Sequence, residues 1–299
     1  MQWAGVGMWM VFGLSACSPT KTEIGNLNVI PQPQEVSQDI QAHPFVINPQ
    51  TGIVYPEGNE KLQRTAEFLA SYIKEATGIT VRTTTEAAKK NSIILAVDSS
   101  ITNKEGYQLE VTSENIHLNG GSESGVFYGM QTLYKALPLT KNKQVSAAIP
   151  VGTVNDYPRF GYRGFMVDVG RHYFPVSYLK QIIDMLALHN INYFHWHLTE
   201  NQSWRLQSKI FPMLNDSVNT TRMPGKYYTL EEAKDLVAFC KAHNILLIPE
   251  FDMPGHSEAF VRTFRHDMQS PEGMKILKLL VDEVCETFDV PYLHIGTDE

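Results

Sequence analysis

Two adjacent carboxylates, Asp298 and Glu299, follow an apolar run, residues 291–295, of the kind that forms a short buried strand. Neighbouring acids whose surroundings push their pKa values apart can divide the labour of acid catalysis, one staying ionised while the other carries a proton. Taken alone, the pair would equally suit the first turn of a helix, where acids complement the macrodipole. Repetition favours chemistry. Three earlier apolar runs end the same way: residues 164–169 lead to Asp168, Arg171 and His172, residues 191–198 to His197, Glu200 and Asn201, and residues 245–251 to Glu250, Asp252 and His256.

The elements that must carry these residues alternate regularly. A helix over residues 177–189 buries Leu179, Ile182, Ile183 and Leu186 at i, i+3, i+4, i+7 spacing. A second opens at Thr229 with a capping box to Glu232 and buries Ala233, Leu236, Val237 and Cys240. A third begins at Ser270-Pro271 and buries Leu277, Leu280, Val281, Val284 and Phe288. Continuous apolar strands alternating with amphipathic helices predict a parallel sheet covered on its outer face. In a (β/α) barrel the active site is built where the strands end, which is where the polar residues fall. The long connection from Glu200 to Tyr228, with Trp204 and Arg205 near its start, lies on that same face and reads as a functional loop.

Upstream, residues 28–150 predict a small α/β domain that supports the barrel, which takes residues 151–299. Residues 29–33 and 45–47 read as short edge strands bounded by prolines. Residues 61–77 form a helix capped by Gly78, strands follow at 92–97, 106–111 and 115–118, and a second helix occupies 126–137. Gly120-Gly121 reads as a turn, since no Lys-Ser/Thr follows to make a phosphate loop. Proline, glycine and aspartate interrupt all periodicity at 149–158, which places the domain boundary there.

The net charge of -7 argues against a nucleic-acid binder, which would show a basic face. Cys17, Cys240 and Cys285 have no metal-type spacing and form no disulfide framework. Cys240 and Cys285 fall on apolar helix faces and are expected to be buried. Cys17 closes an apolar segment in the run Leu14-Ser15-Ala16-Cys17, which resembles the lipobox of bacterial lipoproteins, with residues 18–27 as a polar tether. The expectation is an exported protein lipidated on Cys17, in the periplasm, on the outer membrane or at the cell surface. The segment departs from the export pattern in having no Lys or Arg over residues 1–10.

Arg163-Gly164-Phe165-Met166-Val167-Asp168 with Arg171-His172, His195-Trp196-His197-Leu198-Thr199-Glu200-Asn201, Pro249-Glu250-Phe251-Asp252-Met253-Pro254-Gly255-His256 and His294-Ile295-Gly296-Thr297-Asp298-Glu299 together resemble glycoside hydrolase family 20, the β-N-acetylhexosaminidases. The resemblance implies an α/β fold in which a small α+β domain precedes a (β/α)8 TIM barrel, here the first half of one. It implies cleavage of terminal β-linked N-acetylglucosamine or N-acetylgalactosamine from a glycan, with retention and without a cofactor, the substrate's own acetamido group acting as nucleophile. In that scheme Asp298 holds the acetamido N–H and Glu299 is the general acid and base. Arg163 grips sugar hydroxyls, with pairing to a structural acid as its alternative. His256 lines the site, and Asp168, His197, Glu200, Asn201 and Asp252 support it.

His195 and His197 share one strand face, so a metal-dependent barrel hydrolase stands as an alternative, beside an amino-sugar-binding lipoprotein that does not cleave. Asn201 stands where many family members carry a second Asp, and Thr297 where a second Gly is common. With four of eight barrel strands, the 299-residue chain is expected to be an inactive portion with an open sheet edge.

Overall fold

The computed structural model describes residues 21–297 apart from 87 and 144. Cys17, Asp298 and Glu299 therefore lie outside the described residues. The N-terminal domain contains β1 (Thr22–Ile24), β2 (Glu35–Asp39), β3 (Phe45–Ile47), β4 (Gly52–Val54), α1 (Glu60–Thr77), β5 (Arg82–Thr84), β6 (Ser92–Val97), β7 (Tyr107–Val111), β8 (Asn115–Gly120), α2 (Glu123–Ala136), β9 (Ser146–Ile149) and β10 (Val151–Asp156). Seven of its strands make one mixed sheet, ordered β2-β10-β7-β8-β6-β4-β5, and β1-β9-β3 form a smaller one. α1 starts at Asn59, whose side chain accepts from the Leu62 N–H, and stops at Gly78, where a φ of 79° suits a residue without Cβ. Leu62, Leu69 and Ile73 of α1 and Val126, Met130 and Leu133 of α2 close over Ile93, Leu95, Ile116 and Leu118 of the sheet.

Two expectations are corrected in this domain. Residues 29–33 are not a strand, because Pro31 and Pro33 remove two backbone donors; the edge strand is β2, just beyond them. Residues 151–156 are not the start of the barrel: β10 lies between β2 and β7, so the domain change falls in residues 157–163. Its sequence Val-Gly-Thr-Val-Asn-Asp hides a central strand, since Gly152 supplies no side chain to the alternation.

The second part contains β11 (Gly164–Asp168), α3 (Val176–Leu188), β12 (Tyr193–His197), a hairpin of β13 (Thr199–Glu200) and β14 (Ser203–Trp204), α4 (Leu230–Ala242), β15 (Leu246–Glu250), α5 (Glu258–Phe264) and α6 (Pro271–Thr287). β11, β12 and β15 are parallel neighbours, with α3 and α4 packed together outside them. The predicted capping box is present in both halves: the Thr229 side chain accepts from Glu232 N–H and the Glu232 carboxylate from Thr229 N–H. The expected strand over 291–295 is reduced to a bridge between His294 and Glu250, flanked by backbone bonds from Phe251 N to His294 O and from His294 N to Pro249 O. α5 was not expected; seven residues are too few for a periodic signal. Among the described residues no helix is long and apolar enough to cross a membrane.

Candidate active site

The parallel register sets the site. Asp168, His197 and Glu250 are direct partners across β11, β12 and β15, and His294 pairs with Glu250, so four ionisable residues stand in one row at the strand ends. Alternation along β12 sends Phe194 and Trp196 outward into the core, where Trp196 meets Tyr228 at 4.7 Å, and leaves His195 and His197 on the opposite face.

Two charge clusters fill this end. In the first, the Asp168 carboxylate accepts from Arg171 N–H at 2.9 Å and pairs with its guanidinium at 2.6 Å, while Arg171 also pairs with Glu200. His256 Nδ1 lies 2.6 Å from the same Glu200 oxygen. Glu200 is buried at 1 % exposure, whereas Arg171 keeps 47 % of its side chain exposed at the mouth. His256 adopts φ 50°, a left-handed conformation uncommon outside glycine and one that marks functional turns.

In the second cluster, Glu250 Oε2 lies 2.6 Å from His195 Nε2 and 2.7 Å from His197 Nδ1, and its Oε1 lies 3.1 Å from His294 Nδ1. Two ligands of one tetrahedral zinc, with bonds of about 2.0–2.1 Å, stand about 3.3 Å apart. The two shorter contacts are hydrogen-bond lengths instead, so the arrangement is a carboxylate clamped by imidazoles. Burial alone would raise the Glu250 pKa, but hydrogen bonds from His195 and His197 hold it well below the usual carboxylate range. Burial likewise opposes a proton on His197, yet the hydrogen bond and charge of Glu250, with Asp168 and Asp252 nearby, raise its pKa.

These shifts have opposite signs in stability. The depressed Glu250 contributes above the ordinary carboxylate pKa and loses that contribution as pH falls through its folded value. The raised His197 contributes fully below the ordinary imidazole pKa and loses it as pH rises through its folded value. The clamp is therefore strongest between about pH 4.5 and about pH 6.5. Denaturant unfolding across this range and beyond is expected to show stability falling on both sides, with both slopes reduced in Glu250→Gln.

Of the predicted residues, Asp168, His197, Glu200, Asp252 and His256 come together. Arg163 does not. It precedes β11, at the opposite end of the strand from Asp168, and its guanidinium is held by the Glu105 carboxylate at 2.8 Å, Tyr128 Oη at 3.2 Å and the Phe160 carbonyl at 2.8 Å, while its Nε donates to the Asn190 carbonyl at 2.6 Å. It joins the two domains and does not line the strand ends. Its partner acid is Glu105, which also accepts from the Asn192 side chain at 3.1 Å. Arg163→Ala is expected to cost about 2–4 kcal/mol of stability, as loss of a mostly buried ion pair does, while leaving KM within about twofold of wild type. Arg171 occupies the place expected of Arg163. Its i, i+3 spacing from Asp168 at a strand end was the available signal.

Asn201 places its side chain in neither charge cluster, although its backbone N–H donates to Glu200 Oε2 at 2.5 Å. Its side-chain oxygen accepts from Glu258 N–H at 3.3 Å and its carbonyl from Arg262 at 2.5 Å, tying the hairpin to α5. Thr297 keeps the backbone shape of a glycine at φ 77°, a strained conformation for a β-branched residue. Cys240 is buried, and burial raises its pKa. Cys285, expected to be buried, is exposed, because the core-facing stripe of α6 passes through Leu277, Leu280, Val284 and Thr287, and Cys285 is turned off it by about 100° from Val284.

Comparison with known proteins matches residues 26–157 to the family described as "Glycosyl hydrolase family 20, domain 2" and residues 160–270 to "Glycosyl hydrolase family 20, catalytic domain". The chain is 31% identical to a β-hexosaminidase of Porphyromonas gingivalis over 99% of its own length and 42% of that protein's. It is 33% identical to one of Akkermansia muciniphila over 72% and 49% respectively. Among solved structures it superposes on the GH20 exo-β-N-acetylglucosaminidase of Vibrio harveyi in complex with N-acetylglucosamine (TM-score 0.80, 26% identity, 95% of this chain and 48% of that one). It likewise superposes on a mutant Streptomyces plicatus β-hexosaminidase in complex with product (TM-score 0.81, 26% identity, 92% and 60%). The chain spans about half the length of the curated relatives it matches.

Proposed function

The chain belongs to glycoside hydrolase family 20, and on that premise we propose that it carries the acid pair and the sugar-gripping face of an exo-β-N-acetylhexosaminidase. The observation that carries the reading is the row Asp168, His197, Glu250 and His294 at the strand ends. It brings the segment leading to positions 298 and 299 to the same mouth as Arg171 and His256.

In the proposed reaction the carbonyl oxygen of the substrate's 2-acetamido group attacks the anomeric carbon as the glycosidic C–O bond breaks. Glu299 gives its proton to the departing oxygen, and the product of this step is an oxazolinium ion. Asp298, ionised, accepts the acetamido N–H and offsets the developing positive charge. Glu299, now a carboxylate, takes a proton from the water that opens the ring, so two inversions give net retention. The half-exposed Arg171 guanidinium, a rigid fork of donors braced by Asp168 and Glu200, is the group suited to grip sugar hydroxyls.

The test uses the product of the whole reading frame. A chromogenic N-acetyl-β-glucosaminide should be hydrolysed and the matching β-glucoside, which lacks the acetamido nucleophile, should not. A trifluoroacetamido substrate should be slower by orders of magnitude, because fluorine withdraws electron density from the attacking oxygen. Equal rates on all three would overturn the substrate-assisted scheme.

We further propose that the protein is exported and held at a membrane by a lipid on Cys17. Cys17→Ser should then release it into the soluble fraction.

A further inference from the structure

We propose that Glu250 is the positioning residue of the acid pair, one carboxylate that fixes the segment delivering Asp298 and Glu299; this rests on the role given to that pair above. Three observations support it. Glu250 is 5 % exposed; its Oε2 hydrogen-bonds His197 Nδ1 at 2.7 Å and lies 2.6 Å from His195 Nε2, both on β12, and its Oε1 lies 3.1 Å from His294 Nδ1. The neighbouring strand therefore holds the carboxylate rigid on one side, and the carboxylate holds His294 on the other.

The His294 ring reaches both the carboxylate and the backbone that follows. Its Nδ1 lies 3.1 Å from Glu250 Oε1 and 3.1 Å from Gly296 N and serves one of them at a time, donating to the carboxylate when it carries the proton and accepting the Gly296 N–H when it does not. The ring also packs on His195 with centroids 4.6 Å apart.

The third observation is fit. Met253 N donates to Ile295 O at 3.1 Å, which brings Gly296 against Asp252. A Cβ on Gly296 would stand 1.7 Å from Asp252 Oδ1, and its φ of 66° is one that side chains disfavour. Residues 294–296 are thus seated in one place, two positions before the acid pair. Across the clamp the facing titratable groups are His195, His197, Asp252 and, behind His197, Asp168. Because none of this needs to touch substrate, a displaced acid pair should slow the chemistry while leaving sugar binding to Arg171.

The experiment measures kcat and KM for Glu250→Gln, His294→Ala and the double variant in the full-length gene product, on a chromogenic N-acetyl-β-glucosaminide. The expected result is a fall in kcat of about 10–100-fold in each single variant, KM within about threefold, and a double variant no slower than the worse single one, as for residues acting as a unit. His294 is half exposed, so its alanine variant reads the clamp even if Glu250→Gln does not fold. The proposal is overturned if His294→Ala retains wild-type kcat, or if the two effects multiply. Failure of the enzyme reading itself looks different: wild type would not hydrolyse the substrate, or Glu299→Gln would be as fast as wild type.

Discussion

Glu299→Gln in the full-length protein is expected to lower kcat by about 10²–10⁴-fold, the range supplied by a positioned proton donor and acceptor. The size should depend on the leaving group. An N-acetylglucosamine disaccharide departs as a strongly basic alkoxide unless it is protonated, so removal of the acid acts on the first step and the loss should be near the upper limit. A nitrophenolate is a weak base and departs with little help, so on the aryl substrate the residual loss reports the second step, where Gln cannot take a proton from water. Azide needs no such proton removal. It should restore turnover of the aryl substrate by opening the oxazolinium ion to a β-glycosyl azide, and should leave the disaccharide unrescued. On the disaccharide KM should change little, because the interaction lost belongs to the first transition state, whereas on the aryl substrate KM should fall together with kcat as the intermediate accumulates. A variant with wild-type kcat on both substrates would take Glu299 out of the reaction.

The parts of this arrangement legible in the sequence are those written in local pattern. The alternation of Phe194 and Trp196 with His195 and His197 fixes which face of β12 is chemical, and Thr229 with Glu232 fixes where α4 begins. Asp168, His197 and Glu250 were identifiable as strand-end acids and imidazole, but the register that aligns them is a property of three strands together and no single segment carries it. Arg163 shows the limit most clearly. It stands five residues before Asp168, on the same strand motif, yet a strand rises about 3.3 Å per residue, so the two lie at opposite ends of it. Its role was decided by Glu105, which is 58 residues away in the other domain and has no sequence signal of partnership. The same holds for Glu250 and His294, whose pairing joins the end of β15 to a segment beyond α6.

Arg205→Ala is expected to be among the most destabilising single substitutions in the chain. Arg205 stands near the start of the long connection that reads as a functional loop, and it is 0 % exposed. Its guanidinium donates to five backbone carbonyls: Val169 at 3.0 Å, Gly170 at 3.3 Å, Arg222 at 2.8 Å, Met223 at 3.2 Å and Lys226 at 2.6 Å. Burial lowers its pKa to about 10, the mark of a charge held by dipoles in place of water. Truncation leaves those carbonyls without their donor in a cavity where the side chain stood, at a cost of about 3–5 kcal/mol. For a domain of this size that is roughly 10 °C in Tm.

The placement of the five acceptors gives the prediction a second readout. Two belong to residues 169–170, the turn before Arg171, and three to residues 222–226, the far limb of the long loop, so Arg205 joins that loop to the turn proposed to grip the sugar. At temperatures where the variant is still folded, protease should cut between residues 206 and 228 faster than in wild type, and KM should rise. Arg205→Lys should lie between the two, since an ammonium carries three donors for five acceptors and cannot span the fork. A variant that keeps wild-type Tm and wild-type loop protection would show that the carbonyls are satisfied without the guanidinium.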